Sequence, residues 1–150
     1  MIEVVIHYYQ IKMKKDSTND YFVFPYFSIK GHANNGSKKE CIQVCSTISA
    51  CVIGLTRLID YTQYSVIEKS GVFEIKSDGR KFIDRDTCYA LNYLWCILYD
   101  LWKMYPNQFS KFEVVERKEI EENYGKDNTK PKPFRKLKKG STRMGFPCDQ

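Results

Sequence analysis

His32 and Cys45 are the residues of this 150-residue chain whose types and spacing best support covalent chemistry. His32 lies in Gly31-His32-Ala33-Asn34-Asn35-Gly36, a short polar segment, and Cys45 in Val44-Cys45-Ser46-Thr47-Ile48-Ser49-Ala50, which reads as the opening of a helix. A thiol in a first helical turn meets unpaired N–H groups and the positive end of the helix dipole, and both favour the thiolate. An imidazole thirteen residues upstream, at the end of a strand, reaches back across the loop to take and return a proton, as acyl transfer by a thiol requires. The first N–H groups of that helix, near Cys45 and Ser46, are expected to hold the oxyanion of a tetrahedral intermediate. The same residue types also fit a small buried cysteine on an apolar helix and a loop histidine bonded to backbone.

Metal chemistry is not expected. Cys41, Cys45 and Cys51 cluster near His32 in sequence, yet no second closely spaced pair completes a tetrahedral zinc set. Cys51, Cys88 and Cys96 read as core, Cys148 as an exposed thiol, and Cys41 as a neighbour able to form a disulfide with Cys45. No glycine-rich phosphate loop is present, and no cofactor is called for.

The elements that must hold this pair follow from hydrophobic periodicity. Residues 2–13 alternate, with Ile2, Val4, Ile6 and Tyr8 on one face, and residues 21–30 form a second β-rich run after a hairpin loop at 14–20. Pro25 removes a donor from that second strand, which places it at an edge or in a bulge. Ile48, Val52, Leu55 and Ile59 recur at helical spacing from about Val44 to Asp60, leaving residues 33–43 as a mobile loop. Residues 62–68 and 71–76 read as strands joined at Ser70-Gly71. A second helix should run from Asp84 or Asp86 to Met104, with one stripe of Cys88, Leu91, Trp95, Leu98 and Trp102 and another of Ala90, Leu94, Ile97 and Leu101. Such a helix is enclosed, or else it presents a partner surface. Residues 109–116 supply a last strand, giving the order ββαββαβ. The fold class is α+β, a small two-layer domain with two helices packed on a mainly antiparallel sheet.

Charge separates this domain, residues 1–116, from a tail, residues 117–150. The chain carries a net +6, but residues 126–143 alone hold eight lysines and arginines against one aspartate. The tail is expected to be flexible, and its positive field suits RNA or an acidic protein as well as simple solubility. The first residues lack the pattern of a secretory signal, and no apolar run approaches the roughly 18 residues of a membrane span, so a cytoplasmic protein without membrane contact is expected.

Taken together, Gly31-His32-Ala33, Gly36, and Val44-Cys45 followed by Ser49-Ala50 resemble the signature of the ribosomal-processing cysteine protease (Prp) family, whose histidine and cysteine form a catalytic dyad. The likeness runs over about residues 2–116 through the element order and the passage from the second helix into Tyr105-Pro106 and a closing strand. It implies a cysteine endopeptidase that removes a short N-terminal extension, after a segment ending in phenylalanine, from a ribosomal protein or, in phage relatives, processes a capsid or scaffold protein. By position it implies Cys45 as nucleophile, His32 as general base, Gly31 as backbone pivot and Ser49 as a supporting polar group one helical turn beyond Cys45. It also implies a homodimer. Two departures stand out: the family spaces its pair twelve apart, and Ile42 occupies the place of a family aspartate, with Glu40 nearby as a substitute. A catalytically inactive binding module, holding RNA or an assembly protein through the basic tail, is the alternative.

Overall fold

The computed structural model describes residues 1–11, 21–77 and 84–117, with backbone alone at residues 135–136. Its first two strands are β1 (Ile2–Ile11) and β2 (Tyr21–Lys30), paired antiparallel. The alternation in β1 seals Ile2, Val4 and Ile6 from solvent on one face. The hairpin expected at 14–20 lies outside the described residues.

Pro25 sits in a bulge. His7 faces Tyr26 and Tyr9 faces Val23, so two steps along β1 match three along β2. The extra residue falls at Phe24-Pro25, where the ladder is interrupted and a missing N–H costs nothing. That irregularity lets Phe24 and Phe27 both reach the interior, where they are fully buried and meet edge-on at 5.7 Å.

The remaining strands are β3 (Tyr64–Lys69), β4 (Val72–Ser77), β5 (Phe109–Glu116) and the two-residue β6 (Arg135–Lys136). The sheet order is β3-β4-β2-β1-β5-β6, antiparallel throughout except for the parallel β1–β5 pair. The fold is thus a small α+β domain with ββαββαβ order, to which β6 adds a short edge. Apart from Arg117 and the β6 backbone, the basic tail lies outside the described residues, as does Cys148.

Helix α2 (Arg85–Met104) begins where Asp84 accepts the Thr87 N–H at 2.9 Å. Trp95 presses onto Tyr8, Phe22 and Phe24, with ring centroids 5.0, 6.2 and 5.9 Å away. Most of both apolar stripes are buried, so α2 is the enclosed helix of the two alternatives. Helix α1 is the exposed one.

Helix α1 (Lys38–Leu55) starts six residues before the Val44 expected from periodicity. Ser37 caps it by accepting the Glu40 N–H at 3.1 Å, and residues 38–43 are therefore helix instead of loop. Only Val44, Ile48 and Val52 are buried along its length. By length and composition alone, Lys38–Leu58 is apolar enough to cross a membrane; its buried apolar residues Val44, Ile48 and Val52 belong to the core.

On the outer face of the sheet, half-buried His7 lies 5.3 Å from the Tyr26 ring. Burial pulls its imidazole below the ordinary value, Glu113 opposes the shift and Arg117 adds to it. The fold favours neutral His7, whereas the unfolded chain takes up a proton near about pH 6.5. Stability is thus complete above that pH and declines as pH falls through the lower folded value. The urea midpoint should drop between about pH 7.5 and 5.5 in wild type, and by less in His7→Phe.

Candidate active site

Strand β2 ends at Gly31, whose N–H donates to the Gly71 carbonyl at 2.8 Å. The chain turns there with φ +93°, and a Cβ at Gly31 would stand 2.2 Å from the Met1 carbonyl oxygen. Only glycine combines that backbone angle with that close approach. His32 follows directly, and its imidazole lies against the backbone of Gly71 in the β3–β4 turn, where a Cβ would come within 2.6 Å of Nε2. Two glycines therefore determine where the imidazole sits.

Cys45 reaches the same place from α1. Its Sγ accepts the Ala33 N–H at 3.2 Å, so the residue after the histidine touches the sulfur. A cleft of about 370 Å³ opens between α1, the ends of β1 and β2, and the β3–β4 turn. Gly31, His32, Cys45 and Ser49 all line it, with an apolar wall that includes Ile48, Val52, Val72 and Phe73. Four of the five residues singled out from sequence thus converge on one cavity.

Ser46 does not join them. Its hydroxyl donates back to the Ile42 carbonyl at 2.6 Å, and the side chain is exposed on the adjoining side of the helix, outside the cleft lining. The reason is the early helix start: Cys45 and Ser46 lie about two turns inside α1, where their N–H groups belong to the helical ladder. Helix-end N–H groups and the dipole act within the first turn, so neither serves Cys45 as expected. The donor that reaches the sulfur comes from the loop.

Glu40 is likewise directed elsewhere. Its carboxylate accepts from Gln108 Nε2 at 2.8 Å and does not line the cleft, while Ile42 is exposed. Nor is the segment between His32 and α1 loose: Asn35 N–H donates to Gln108 Oε1 at 3.1 Å, Gln108 Nε2 donates to the Asn35 carbonyl, and Asn35 Nδ2 donates to the Asn107 carbonyl at 3.0 Å. Cys41 Sγ donates to the Asn35 carbonyl at 3.2 Å, and both Cys41 and Cys45 are free thiols. Among the described residues, no three His, Cys, Asp or Glu side chains are grouped to hold a metal.

Gln108 and the Ala33 N–H were not legible as site components. The first is a polar residue just before a strand, remote in sequence, and the second is a backbone group, so neither carries a spacing signal. The Ser37-x-x-Glu40 pattern, in contrast, was a readable mark of the true helix start.

No protein-family model matches the chain, and no curated protein matches it in sequence. Among solved structures, it resembles the essential ribosomal processing protease Prp from S. aureus in complex with a substrate peptide. The two share 17% identity at a TM-score of 0.53, over 75% of this chain and 98% of that one. It also resembles SMU.848 from Streptococcus mutans, with 14% identity and a TM-score of 0.52 over 78% of this chain and 96% of that one. The chain has the Prp fold, as the His32–Cys45 segment led one to expect.

Gly71→Ala tests the backing of the imidazole. The new methyl group would collide with His32 at a residue held at φ +73°. The His32 ring resonances should move, and the melting temperature should fall by an amount equivalent to about 1 kcal/mol or more.

Proposed function

We propose that this chain is a cysteine endopeptidase of the Prp type, with Cys45 as nucleophile and His32 as general base and acid. One observation carries the reading: histidine and cysteine, thirteen residues apart, line a single cleft on a Prp fold, with the Ala33 N–H on the sulfur. Cys45 sulfur attacks the scissile carbonyl, and the C–N bond breaks as His32 hands a proton to the departing amine. Water, giving a proton to His32, then attacks the thioester carbon; the C–S bond breaks, the product leaves as a carboxylate carrying the water oxygen, and His32 returns the proton to the Cys45 sulfur. Gly31 pivots His32 into place, and Ser49, at the cleft wall, hydrogen-bonds the bound peptide. The apolar wall of the cleft suits an aromatic side chain beside the scissile bond. The substrate is a protein with a short N-terminal extension, either ribosomal or a phage structural protein; the S. aureus relative was solved with a substrate peptide bound.

Incubation with a peptide containing a phenylalanine-ended segment, read by mass spectrometry, provides the test. Wild type should cut after the phenylalanine, Cys45→Ala should give no product, and His32→Ala should be slowed by about 10²–10⁴-fold. Equal turnover in all three proteins would exclude the dyad.

The active species we infer is a homodimer joined through α1, not through the enclosed α2. Ser46, Ala50 and Gly54 form an exposed stripe of small residues at four-residue spacing, flanked by Ile42 and Ile53, each 57% exposed. A stripe of that kind is self-complementary about a two-fold axis and lets two helices approach closely. A Cβ at Gly54 meets nothing within 4 Å, so Gly54→Arg leaves the monomer intact while blocking the approach. Light scattering should report twice 17.7 kDa for wild type and the single mass for the variant.

A further inference from the structure

Gln108 is completely buried, and its amide makes three hydrogen bonds, all to the segment between His32 and Cys45. Its Oε1 accepts the Asn35 N–H at 3.1 Å, with the Cys41 sulfur 3.8 Å away. Its Nε2 donates to the Asn35 carbonyl and to Glu40 at 2.8 Å. The side-chain amide thus pairs with the backbone of Asn35 on both edges, as a neighbouring strand would. The adjacent Asn107 carbonyl takes the Asn35 side chain at 3.0 Å.

Burying an amide costs free energy unless its partners are supplied, and an apolar side chain would fill the same space without that demand. What the amide adds is position. The site segment is fastened at Gly31, through the Gly71 carbonyl, and at Asn35, through Gln108. Between those fastenings lie only His32, Ala33 and Asn34. The Ala33 N–H that meets Cys45 Sγ is therefore spanned by two anchors, one from the β3–β4 turn and one from the 3-10 turn Pro106–Gln108.

We infer that Gln108 is a positioning residue for the Cys45 site: it aims the Ala33 N–H and the His32 backbone at the sulfur without touching substrate. The inference rests on the peptidase reading for its kinetic consequence, but its structural core stands apart from that reading. A donor aimed at the sulfur stabilises negative charge there, so loss of the aim slows chemistry at Cys45 more than it weakens binding in the cleft.

Gln108→Met keeps the length of the side chain and removes all three bonds. In the folded variant, kcat should fall by about tenfold with KM nearly unchanged, and iodoacetamide should modify Cys45 about tenfold more slowly than in wild type while Cys51 is unaffected. A purely structural role predicts the opposite sign, because a loosened loop exposes Cys45 and speeds its modification. Cys45 reacting as fast as in wild type, or faster, overturns the inference.

Two further measurements hold even if that variant does not fold. Gln108→Glu replaces the donor to the Asn35 carbonyl by an acceptor and sets a second carboxylate beside Glu40, so it should slow Cys45; adding Glu40→Gln restores only the link at position 40 and should leave most of that loss, and a double variant in which Cys45 is as fast as in wild type overturns the clamp. In the wild-type protein, the Ala33 and Asn35 amides should resist hydrogen exchange despite their place in a loop, and rapid exchange overturns the proposal. Should Cys45 prove no more reactive than the other thiols while these amides remain protected, the peptidase reading fails and the clamp survives.

Discussion

Val44, Ile48 and Val52, one turn apart along α1, bind the exposed helix to the core and set its rotation about its own axis. The lining of the cleft depends on that rotation. With those three side chains turned inward, the residues immediately after each of them, Cys45, Ser49 and Ile53, fall along the cleft. Rotating the helix by one residue would carry the sulfur out to where Ser46 now lies, bonded to its own backbone. Hydrophobic burial, which is non-directional in itself, becomes directional here because only a narrow strip of the helix is apolar and enclosed.

The histidine side is built by different means. Hydrogen bonds at Gly31 and Asn35, the second from the Gln108 amide, hold the segment that carries His32. Gly31 leaves the sheet at a backbone angle closed to other residues, its N–H ties it to the opposite turn, and Gly71 leaves room for the ring. One half of the site is thus placed by packing and the other by glycines and hydrogen bonds, with the Ala33 N–H joining them at the sulfur.

These two means also explain what the sequence could and could not disclose. Strands β1 to β5, α2 and its Asp84 cap were legible because alternating or helical burial leaves a period in the residues, whereas β6 fell in a segment read as a flexible tail. The first turns of α1 were not, since Lys38-Lys39-Glu40 faces solvent and apolar periodicity begins only where the helix reaches the sheet at Val44. Reading the helix from Val44 placed Cys45 at a terminus and assigned to the helix end a donor that comes from Ala33. His32, Cys45, Gly31 and Ser49 were singled out by local spacing and by likeness to a family, and all four line one cleft. Gln108 acts across more than seventy residues of chain, a relationship that residue types alone do not record.

The parallel β1–β5 pair lies toward one side of the sheet, with only the two-residue β6 beyond it, and joins the two ends of the described domain, with Ile6 opposite Val114. Closing a loop of roughly 100 residues costs about 4 kcal/mol of chain entropy, repaid only after β5 exists. A nascent chain can pair β1 with β2, β2 with β4, and seat both helices while its last strand is still being made. Gln108 and β5 arrive together at the end of this order, so the His–Cys segment is secured only when the sheet itself is complete. Synthesis thus leaves the surroundings of the Cys45 thiol unassembled until nearly the whole domain is in place.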